Sequence, residues 1–269
     1  MTNGVRYEDS GKSVHEATAN LPQMESPPPL IGITTTDRDE ALAMSAWYDT
    51  VYSVPAQYVD AVRRAGGNPI LLPPGEQDWG SWFEIIDGFL ITGGADIASD
   101  FYGGDPDHPK QEKPRVDRDA TESALATHLI GGSVPALFVC RGIQVLNVVM
   151  GGTINQHLAD SLDDDIHRGE GDGWIYHEVE MKPDSLAAQA MGAERAQGAT
   201  GHHQAIDRLA AELEPVGWAA DGTIEAVELR GPTWLVGVQW HPEVSANDDP
   251  AQQGLFDGLV GAAREARRS

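Results

Sequence analysis

The chain has 269 residues, enough for one large domain or two small ones. It carries 18 basic and 42 acidic residues, a formal net charge of −24, and such a polyanionic surface disfavours binding to nucleic acid or to an anionic membrane. No apolar run reaches the roughly 18 residues of a bilayer-spanning helix. The one cysteine, Cys140, excludes an internal disulfide framework and a multi-cysteine metal site.

The first 29 residues differ in composition from the rest. They contain few large apolar side chains and end in Ser26-Pro27-Pro28-Pro29, which predicts a disordered N-terminal tail. They lack the basic stretch and apolar region of a secretory signal, so we expect a cytoplasmic protein. Residues 30–269 show no change in composition typical of a linker, and we predict that they form one domain.

From residue 30 onward, predicted strands and helices alternate. The strands are short apolar runs, typical of a parallel sheet covered by helices on both faces, whereas closely spaced strands in the second half predict antiparallel additions. The polar, proline-rich stretch 100–116 is a candidate active-site loop because it is too long for an ordinary connection. The predicted strands are 30–35, 69–72, 88–92, 134–139, 174–181, 216–220, 224–229 and 235–240, and the predicted helices are 53–65, 119–130, 142–150 and 256–266.

Cys140 lies between a predicted strand and a predicted helix. Gly142 allows the close backbone approach that such a turn needs, and the turn would present the sulfur at the carboxyl end of the sheet. A helix N-terminus lowers the pKa of a thiol and favours the nucleophilic thiolate. The alternative interpretation is a small buried hydrophobic residue, which a nearby base would make less favoured.

His241 is the candidate base. In an extended segment, residues i and i+2 point to the same side, so Glu243 can accept a hydrogen bond from the imidazole and fix its tautomer. Cys140, His241 and Glu243 would then form a nucleophile, a base and an orienting group. Taken alone, His241 and Glu243 are more simply interpreted as a histidine at a strand end and an exposed glutamate.

The nine histidines form no recognisable metal-binding motif. His202 and His203 are adjacent, and adjacent side chains of a strand point to opposite faces, while His167 and His177 lack ligand spacing. There is no His-Glu-x-x-His and no phosphate-binding glycine motif. We therefore expect neither a metal nor a cofactor.

Several motifs together resemble the class I glutamine amidotransferase-like superfamily and, within it, the peptidase C26 group of γ-glutamyl hydrolases. The resemblance covers nearly all of residues 30–269, and it implies a flavodoxin-like three-layer α/β/α sandwich with a mostly parallel central sheet and additional antiparallel strands. The motifs are Ile91-Thr92-Gly93-Gly94-Ala95-Asp96-Ile97, Tyr102-Gly103-Gly104, Arg118-Asp119-x-x-Glu122, Cys140-Arg141-Gly142-x-Gln144, Gly151-Gly152, His177-x-Val179, His202-His203-Gln204-Ala205 and His241-Pro242-Glu243.

The resemblance implies roles for individual residues. Cys140 would form a γ-glutamyl thioester, with His241 moving the protons and Glu243 orienting it. The backbone N–H groups of Gly94 and Arg141 would form the oxyanion hole, whose donors are worth about 2.7–4 kcal/mol each in other enzymes. For the Arg141 side chain, an ion pair within the scaffold is favoured over a role in lowering the thiol pKa.

The resemblance also implies three substrate-binding residues. Gln144 would contact the glutamyl head group, and Thr200 and His202 would bind its α-amino and carboxylate end. Thr200 stands where the family has serine, which keeps the hydroxyl but adds a methyl group. We expect the leaving-amine pocket to be formed by the 100–116 loop and by residues near His167 and Trp174.

The expected partner is therefore a small γ-glutamyl compound, such as one resembling γ-glutamyl-GABA, rather than nucleic acid or membrane. The chain has no synthetase domain, which favours a hydrolase that acts alone. A homo-oligomer stays open, and a synthetase partner is less expected. Two alternatives remain: a glutaminase subunit that delivers ammonia to a separate synthetase, and a non-catalytic binding protein on the same fold.

Overall fold

The computed structural model describes residues 27–37, 39–40, 50–75, 79–162, 166–169 and 173–267, and of residues 39–40 the backbone alone. The predicted N-terminal tail lies outside these residues except for its last three. The Arg267 guanidinium donates to the carbonyl oxygen of Pro27 at 3.1 Å, and the Asn68 N–H donates to that of Pro29 at 2.8 Å. The final prolines of the tail thus contact the body of the protein.

The strands of the described residues group into one large sheet and two small ladders. The large sheet has nine strands, and the ladders pair β2 with β3 and β7 with β10. The strands are β1 Leu30–Thr34, β2 Asp39–Glu40, β3 Thr50–Val51, β4 Asn68–Leu72, β5 Gly88–Ile91, β6 Ala136–Val139, β7 Ile154–Asn155, β8 Ile175–Met181, β9 Arg195–Thr200, β10 Ala205–Ile206, β11 Leu213–Trp218, β12 Ile224–Leu229 and β13 Leu235–Val238.

The large sheet changes direction at β13. Its order is β4-β1-β5-β6-β13-β12-β11-β8-β9. Strands β4, β1, β5, β6 and β13 run parallel, and every pair from β13 to β9 is antiparallel. The central strands are fully buried, as expected for a sheet covered on both faces. This arrangement confirms the predicted mostly parallel sheet with antiparallel additions.

Helices cover both faces of the sheet. One hydrophobic core contains buried residues of α1, α5 and α6, and the other contains those of α3 and α4. The helices are α1 Ala56–Arg64, α2 Gly80–Phe83, α3 Val116–Ile130, α4 Arg141–Val149, α5 Leu186–Met191 and α6 Pro250–Ala266. The predicted three-layer sandwich is confirmed. No helix of the described residues combines the length and hydropathy needed to cross a membrane.

The predicted elements are present with shifted ends. Helix α1 begins after Pro55, whose extended ψ of 130° ends the preceding segment, so the predicted start at 53 was wrong. Helix α6 begins six residues earlier than predicted, because the Asp249 side chain caps it by accepting from the Ala251 N–H at 2.9 Å. Strand β9, helices α2 and α5, and the short strands β2, β3, β7 and β10 were not predicted.

Candidate active site

The backbone at Cys140 forms a sharp strand-to-helix turn. Cys140 follows β6 directly and precedes α4, with φ 50° and ψ −107°, a strained region for a residue with a side chain. Its N–H donates to the carbonyl oxygen of Val238 at 2.7 Å. A Cβ at Gly142 would lie 2.7 Å from the carbonyl oxygen of Ile91, so the turn requires glycine there. The predicted strand, turn and helix thus meet at this thiol.

His241 reaches the thiol because β13 lies beside β6 and runs parallel to it. His241 follows the end of β13 by three residues, and its N–H donates to the carbonyl oxygen of Ala199 at 2.8 Å. Its Nδ1 lies 2.6 Å from Oε1 of Glu243. A 3-10 turn at Pro242–Val244 brings these two side chains together, whereas we had predicted an extended segment. Nδ1 faces the carboxylate, which leaves Nε2 for Cys140.

The charges around His241 favour its protonated form. Burial lowers the pKa of His241, but the Cys140 and Glu243 charges outweigh burial and raise that pKa well above its usual value. The Trp174 ring covers the imidazole, with centroids 4.6 Å apart. The Tyr58 hydroxyl lies 3.5 Å from Nδ1, and burial followed by the Glu243 charge raises the Tyr58 pKa well above its usual value. Tyr58 therefore remains a neutral phenol.

The Gly93-Gly94 segment follows β5 and lies beside His241 and Cys140. A Cβ at Gly93 would lie 2.7 Å from Cε1 of His241, and a Cβ at Gly94 would collide with the guanidinium of Arg118. That guanidinium donates to the carbonyl oxygens of Gly93 at 2.9 Å and of Thr92 at 3.0 Å. A buried cation thus fixes the orientation of the peptide segment that carries the predicted oxyanion donor.

Arg118 belongs to a group of buried ion pairs, here called the guanidinium network. Its Nε donates to Glu122 at 2.9 Å, and both side chains are buried. The Arg141 guanidinium pairs with Glu122 and Asp119. Burial raises the pKa of Glu122, but the two guanidiniums outweigh burial and lower it overall. The Arg141 side chain is thus held by ion pairs within the scaffold, as predicted from the sequence.

A cavity of about 220 Å³ opens over the thiol. The predicted residues that line it are Gly94, Cys140, Gln144, His202 and His241. The Gln144 amide nitrogen donates to the carbonyl oxygen of Gln204 at 3.0 Å, and the Gln239 amide nitrogen lies 3.7 Å from the sulfur of Cys140.

Three predicted site residues do not line the cavity: Arg141, Thr200 and Glu243. The hydroxyl of Thr200 donates to the carbonyl oxygen of His167 at 3.1 Å, and Thr200 is fully buried. Thr200 therefore contributes to the wall of the cavity rather than to its surface.

Seven further described residues line the cavity without an individual role predicted from the sequence: Asp96, Glu112, Arg168, Trp174, Gly201, His203 and Gln204. Glu112 comes from the predicted active-site loop, and Arg168 and Trp174 come from the region where we expected the leaving-amine pocket. Asp96 accepts from His203 at 3.0 Å and from the Glu112 N–H at 2.8 Å. Arg168 lies 3.5 Å from Glu112.

Behind the cavity wall lies a second buried group, the histidine cluster, made of His167, His177, His202 and Glu225. The ring centroids of His167 and His177 are 4.9 Å apart. The spacing of these two residues along the chain does not predict this contact. His202 and His203 do face opposite ways, towards Glu225 and Asp96 respectively. Among the described residues, Asp96, Glu112 and His203 form another group with metal-ligand chemistry.

Comparison with known proteins agrees with the fold. The sequence profile of the peptidase C26 family matches residues 29–243. A Mycobacterium tuberculosis protein named "Putative glutamine amidotransferase Rv2859c" is 38% identical over 238 residues, covering 87% of this chain and 75% of that protein. The γ-glutamyl-γ-aminobutyrate hydrolase PuuD of Escherichia coli K12 is 25% identical over 219 residues, covering 77% of this chain and 85% of that enzyme.

A solved structure shares the architecture. It is titled as a "putative gmp synthase subunit a protein" of Thermoplasma acidophilum, and it superposes with a TM-score of 0.60 at 12% identity, covering 90% of this chain and 96% of that one. The chain therefore belongs to the peptidase C26 family and has the glutamine amidotransferase-like fold that its motifs predicted.

Proposed function

We propose that this protein is a cysteine-dependent hydrolase that cleaves the γ-glutamyl amide bond of a small γ-glutamyl compound. The observation that carries the proposal is that Cys140 and His241 line one cavity of about 220 Å³, while Glu243 lies 2.6 Å from Nδ1 of His241. A nucleophile, a proton carrier and an orienting carboxylate are the parts that acyl transfer through a thioester requires. The peptidase C26 family is consistent with such a hydrolase.

In the acylation step, the Cys140 thiolate attacks the γ-carbonyl carbon of the substrate. A C–S bond forms, and the negative charge moves to the carbonyl oxygen, where the N–H groups of Gly94 and Arg141 are the proposed donors. When the intermediate collapses, the C–N bond breaks and the leaving amine takes the proton of the His241 imidazolium. Because the pKa of His241 is raised, the imidazolium retains this proton until the leaving amine accepts it.

In the deacylation step, His241 is neutral and takes a proton from water. The resulting hydroxide attacks the thioester carbon, the C–S bond breaks, and Cys140 leaves as thiolate. Glutamate is released, and His241 is again the imidazolium. Glu243 holds the imidazole by its Nδ1 at 2.6 Å throughout, so the same Nε2 serves both steps.

Gln144 and His202 are the proposed contacts for the glutamyl part, because both line the cavity with Cys140. Thr200 would act indirectly, through the backbone of His167. The leaving amine would lie towards Glu112, Arg168 and Trp174, where both signs of charge are present. The Escherichia coli relative acts on γ-glutamyl-γ-aminobutyrate according to its name, and a similar small conjugate is the substrate that we propose.

Glutamate release by the purified protein tests this proposal. We would offer γ-glutamyl-GABA, γ-glutamylputrescine and glutamine separately, with Cys140→Ala as the matched inactive variant. We expect release from at least one of the two γ-glutamyl amines and its loss in Cys140→Ala, because no other thiol is present. If neither of the two γ-glutamyl amines released glutamate, the proposal would be contradicted.

A second candidate is a glutaminase subunit that supplies ammonia to a separate synthetase. The name of the Mycobacterium tuberculosis relative, which shares 38% identity, favours this alternative. Slow release of glutamate from glutamine, with none from the two amines, would support it. A non-catalytic binding protein on the same fold would release glutamate from none of the three compounds, and its Cys140 thiol would be inert towards iodoacetamide.

A further inference from the structure

The histidine cluster joins four separate parts of the chain around one carboxylate. His167 lies in residues 166–169, His177 in β8, His202 in the turn after β9, and Glu225 in β12. All four side chains are at least nine-tenths buried. The facing ring nitrogens lie 3.2, 3.6 and 3.4 Å from Oε1 of Glu225, in the order His167, His177 and His202.

The far side of each imidazole faces a hydrogen-bond acceptor. Nδ1 of His177 lies 3.2 Å from the carbonyl oxygen of Glu178, and Nδ1 of His202 lies 2.9 Å from that of Gln204. Nε2 of His167 lies 2.8 Å from the carboxylate of Asp221. Carbonyl and carboxylate oxygens accept hydrogen bonds and cannot donate them, so these nitrogens carry the N–H of the ring. Partners of this kind orient the histidines of metal sites.

The inner nitrogens are therefore lone pairs if the imidazoles are neutral. Within the described residues, Nε2 of His177, Nε2 of His202 and both oxygens of Glu225 have no hydrogen-bond partner. Lone pairs that face a carboxylate repel it unless a positive charge lies between them. A single imidazolium at His167 would supply such a charge between Glu225 and Asp221, but it would leave the lone pairs of His177 and His202 facing Glu225. One divalent cation would balance the two carboxylates with all three imidazoles neutral.

The spacing fits a small tetrahedral ion. Zn²⁺ binds imidazole nitrogen at about 2.0–2.1 Å and carboxylate oxygen at about 2.0–2.2 Å, so neighbouring ligand atoms of a tetrahedron lie about 3.4 Å apart. The observed separations of 3.2 to 3.6 Å from Glu225 bracket that value, and all four ligand atoms lie within 4.8 Å of one another. Mg²⁺ and Ca²⁺ prefer sets of oxygen ligands, so this donor set favours Zn²⁺.

We propose that the histidine cluster is a structural Zn²⁺ site with His167, His177, His202 and Glu225 as its four ligands. Four protein ligands leave no open position for a reacting water, so the ion supports the fold rather than the chemistry. It ties the wall of the cavity together, because His202 and Arg168, the neighbour of His167, both line the cavity. This proposal does not depend on the function proposed above.

Metal binding by the full chain tests the proposal. We would use Cys140→Ala as the parent, so that the thiol cannot act as a ligand, and prepare it metal-free by dialysis against a chelator. We expect it to bind about one Zn²⁺ per chain, with a Tm rise of about 5 °C or more, and no such rise with Mg²⁺. Co²⁺ in place of Zn²⁺ is expected to give the intense visible absorption of a tetrahedral ion with nitrogen and oxygen ligands.

Matched variants in the same background locate the ion. Glu225→Gln keeps the shape of the ligand and His177→Gln removes one imidazole, and each is expected to weaken Zn²⁺ binding at least about tenfold. His128→Gln, on the exposed face of α3, and His203→Gln, in the group with Asp96, are expected to match the parent.

Three results would overturn the proposal. The first is a parent that neither binds Zn²⁺ nor gains stability from it, a result that stands whether or not the variants fold. The second is binding that Glu225→Gln and His177→Gln leave unchanged. The third is binding that His203→Gln abolishes, because the ion would then belong to the group with Asp96 and Glu112.

Discussion

Two buried clusters of charged and polar side chains flank Cys140, and they are completed in different ways. In the guanidinium network, Arg118 and Arg141 donate directly to the carboxylates of Glu122 and Asp119. In the histidine cluster, three imidazole nitrogens face one carboxylate at 3.2 to 3.6 Å with their N–H groups turned away. In the guanidinium network, the charged side chains pair with one another. The histidine cluster instead has the geometry of a ligand shell around a cation.

The difference separates two ways of supporting Cys140, the proposed nucleophile. The guanidinium network holds the backbone beside the thiol, because Arg118 donates to the carbonyl oxygens of Thr92 and Gly93. The histidine cluster holds the substrate side, because His202 lines the cavity. A buried network that lacks one partner is costly, whereas a metal shell can be emptied and refilled. The four predictions below test this contrast, from the largest expected effect to the smallest.

Glu122→Ala removes the carboxylate that both guanidiniums share. Because two buried cations lose a partner, we expect the free energy of unfolding to fall by about 3–5 kcal/mol, measured by urea denaturation. Asp60→Ala, which breaks the exposed pair with Arg63, is the matched control and should change stability by less than about 1 kcal/mol. Equal effects of the two changes would mean that burial does not distinguish these pairs.

Chelation tests the other cluster. If the histidine cluster holds Zn²⁺, a chelator should lower the free energy of unfolding of the wild-type protein by about 2.7 kcal/mol where the ion was present at 100 times its dissociation constant. The decrease should disappear in Glu225→Gln and persist in Asp60→Ala. An unchanged urea midpoint after chelation would remove the contrast between the two clusters.

Glu243→Gln tests the imidazole–carboxylate pair of His241 and Glu243. The Cys140 and Glu243 charges hold the pKa of His241 well above its usual value despite burial, so kcat/KM should fall as the pH rises through that raised pKa. Loss of the Glu243 charge should move this alkaline limb to lower pH by about one unit. A pH profile of kcat/KM measures the shift, and an unmoved limb would mean that His241 does not control it.

The His241 pair also contributes to stability with a defined sign. Because the pKa of His241 is raised on folding, the stabilisation from this pair is fully present below the pKa of an unfolded histidine. It is lost as the pH rises through the raised value.

Glu112→Gln should have the smallest effect. It removes a carboxylate 3.5 Å from Arg168, in a pair whose side chains are close to half exposed. The cavity becomes more positive, so the ratio of kcat/KM for γ-glutamyl-GABA to that for γ-glutamylputrescine should rise about two- to fivefold. Competition between the two substrates measures this ratio, and Glu178→Gln, on the exposed face of β8, is the matched control. A falling ratio would contradict the assignment of the leaving-amine region.

The sequence predicts those parts of the fold whose signal is local. The buried parallel strands are continuous apolar runs, and the turn at Cys140 is marked by its flanking residues. Strand β9 has no such signal, because it contains Gly198 and small or polar residues and is held by pairing with β8. A Cβ at Gly198 would lie 2.8 Å from Cγ of Trp240, so packing across the sheet rather than strand propensity selects that residue.

The same distinction between local sequence signals and tertiary contacts applies to the residues of the candidate site. Cys140, His241 and Glu243 could be predicted, because each lies just beyond the end of one of two strands that are neighbours in the sheet. The histidine cluster could not, because its ligands come from four segments whose meeting depends on the antiparallel half of the sheet. The position of Thr200 also depends on a tertiary contact, its hydrogen bond to the backbone of His167.

The pairing of β6 with β13 has a consequence for the order of events during folding. Cys140 follows one of these strands and His241 follows the other, and Gln239 and Cys140, which meet across this pairing, are 99 residues apart in the chain. A ladder between such distant segments closes slowly, because much of the chain must be ordered before it forms. A refolding molecule is therefore expected to bring His241 to Cys140 late, when β13 pairs with β6.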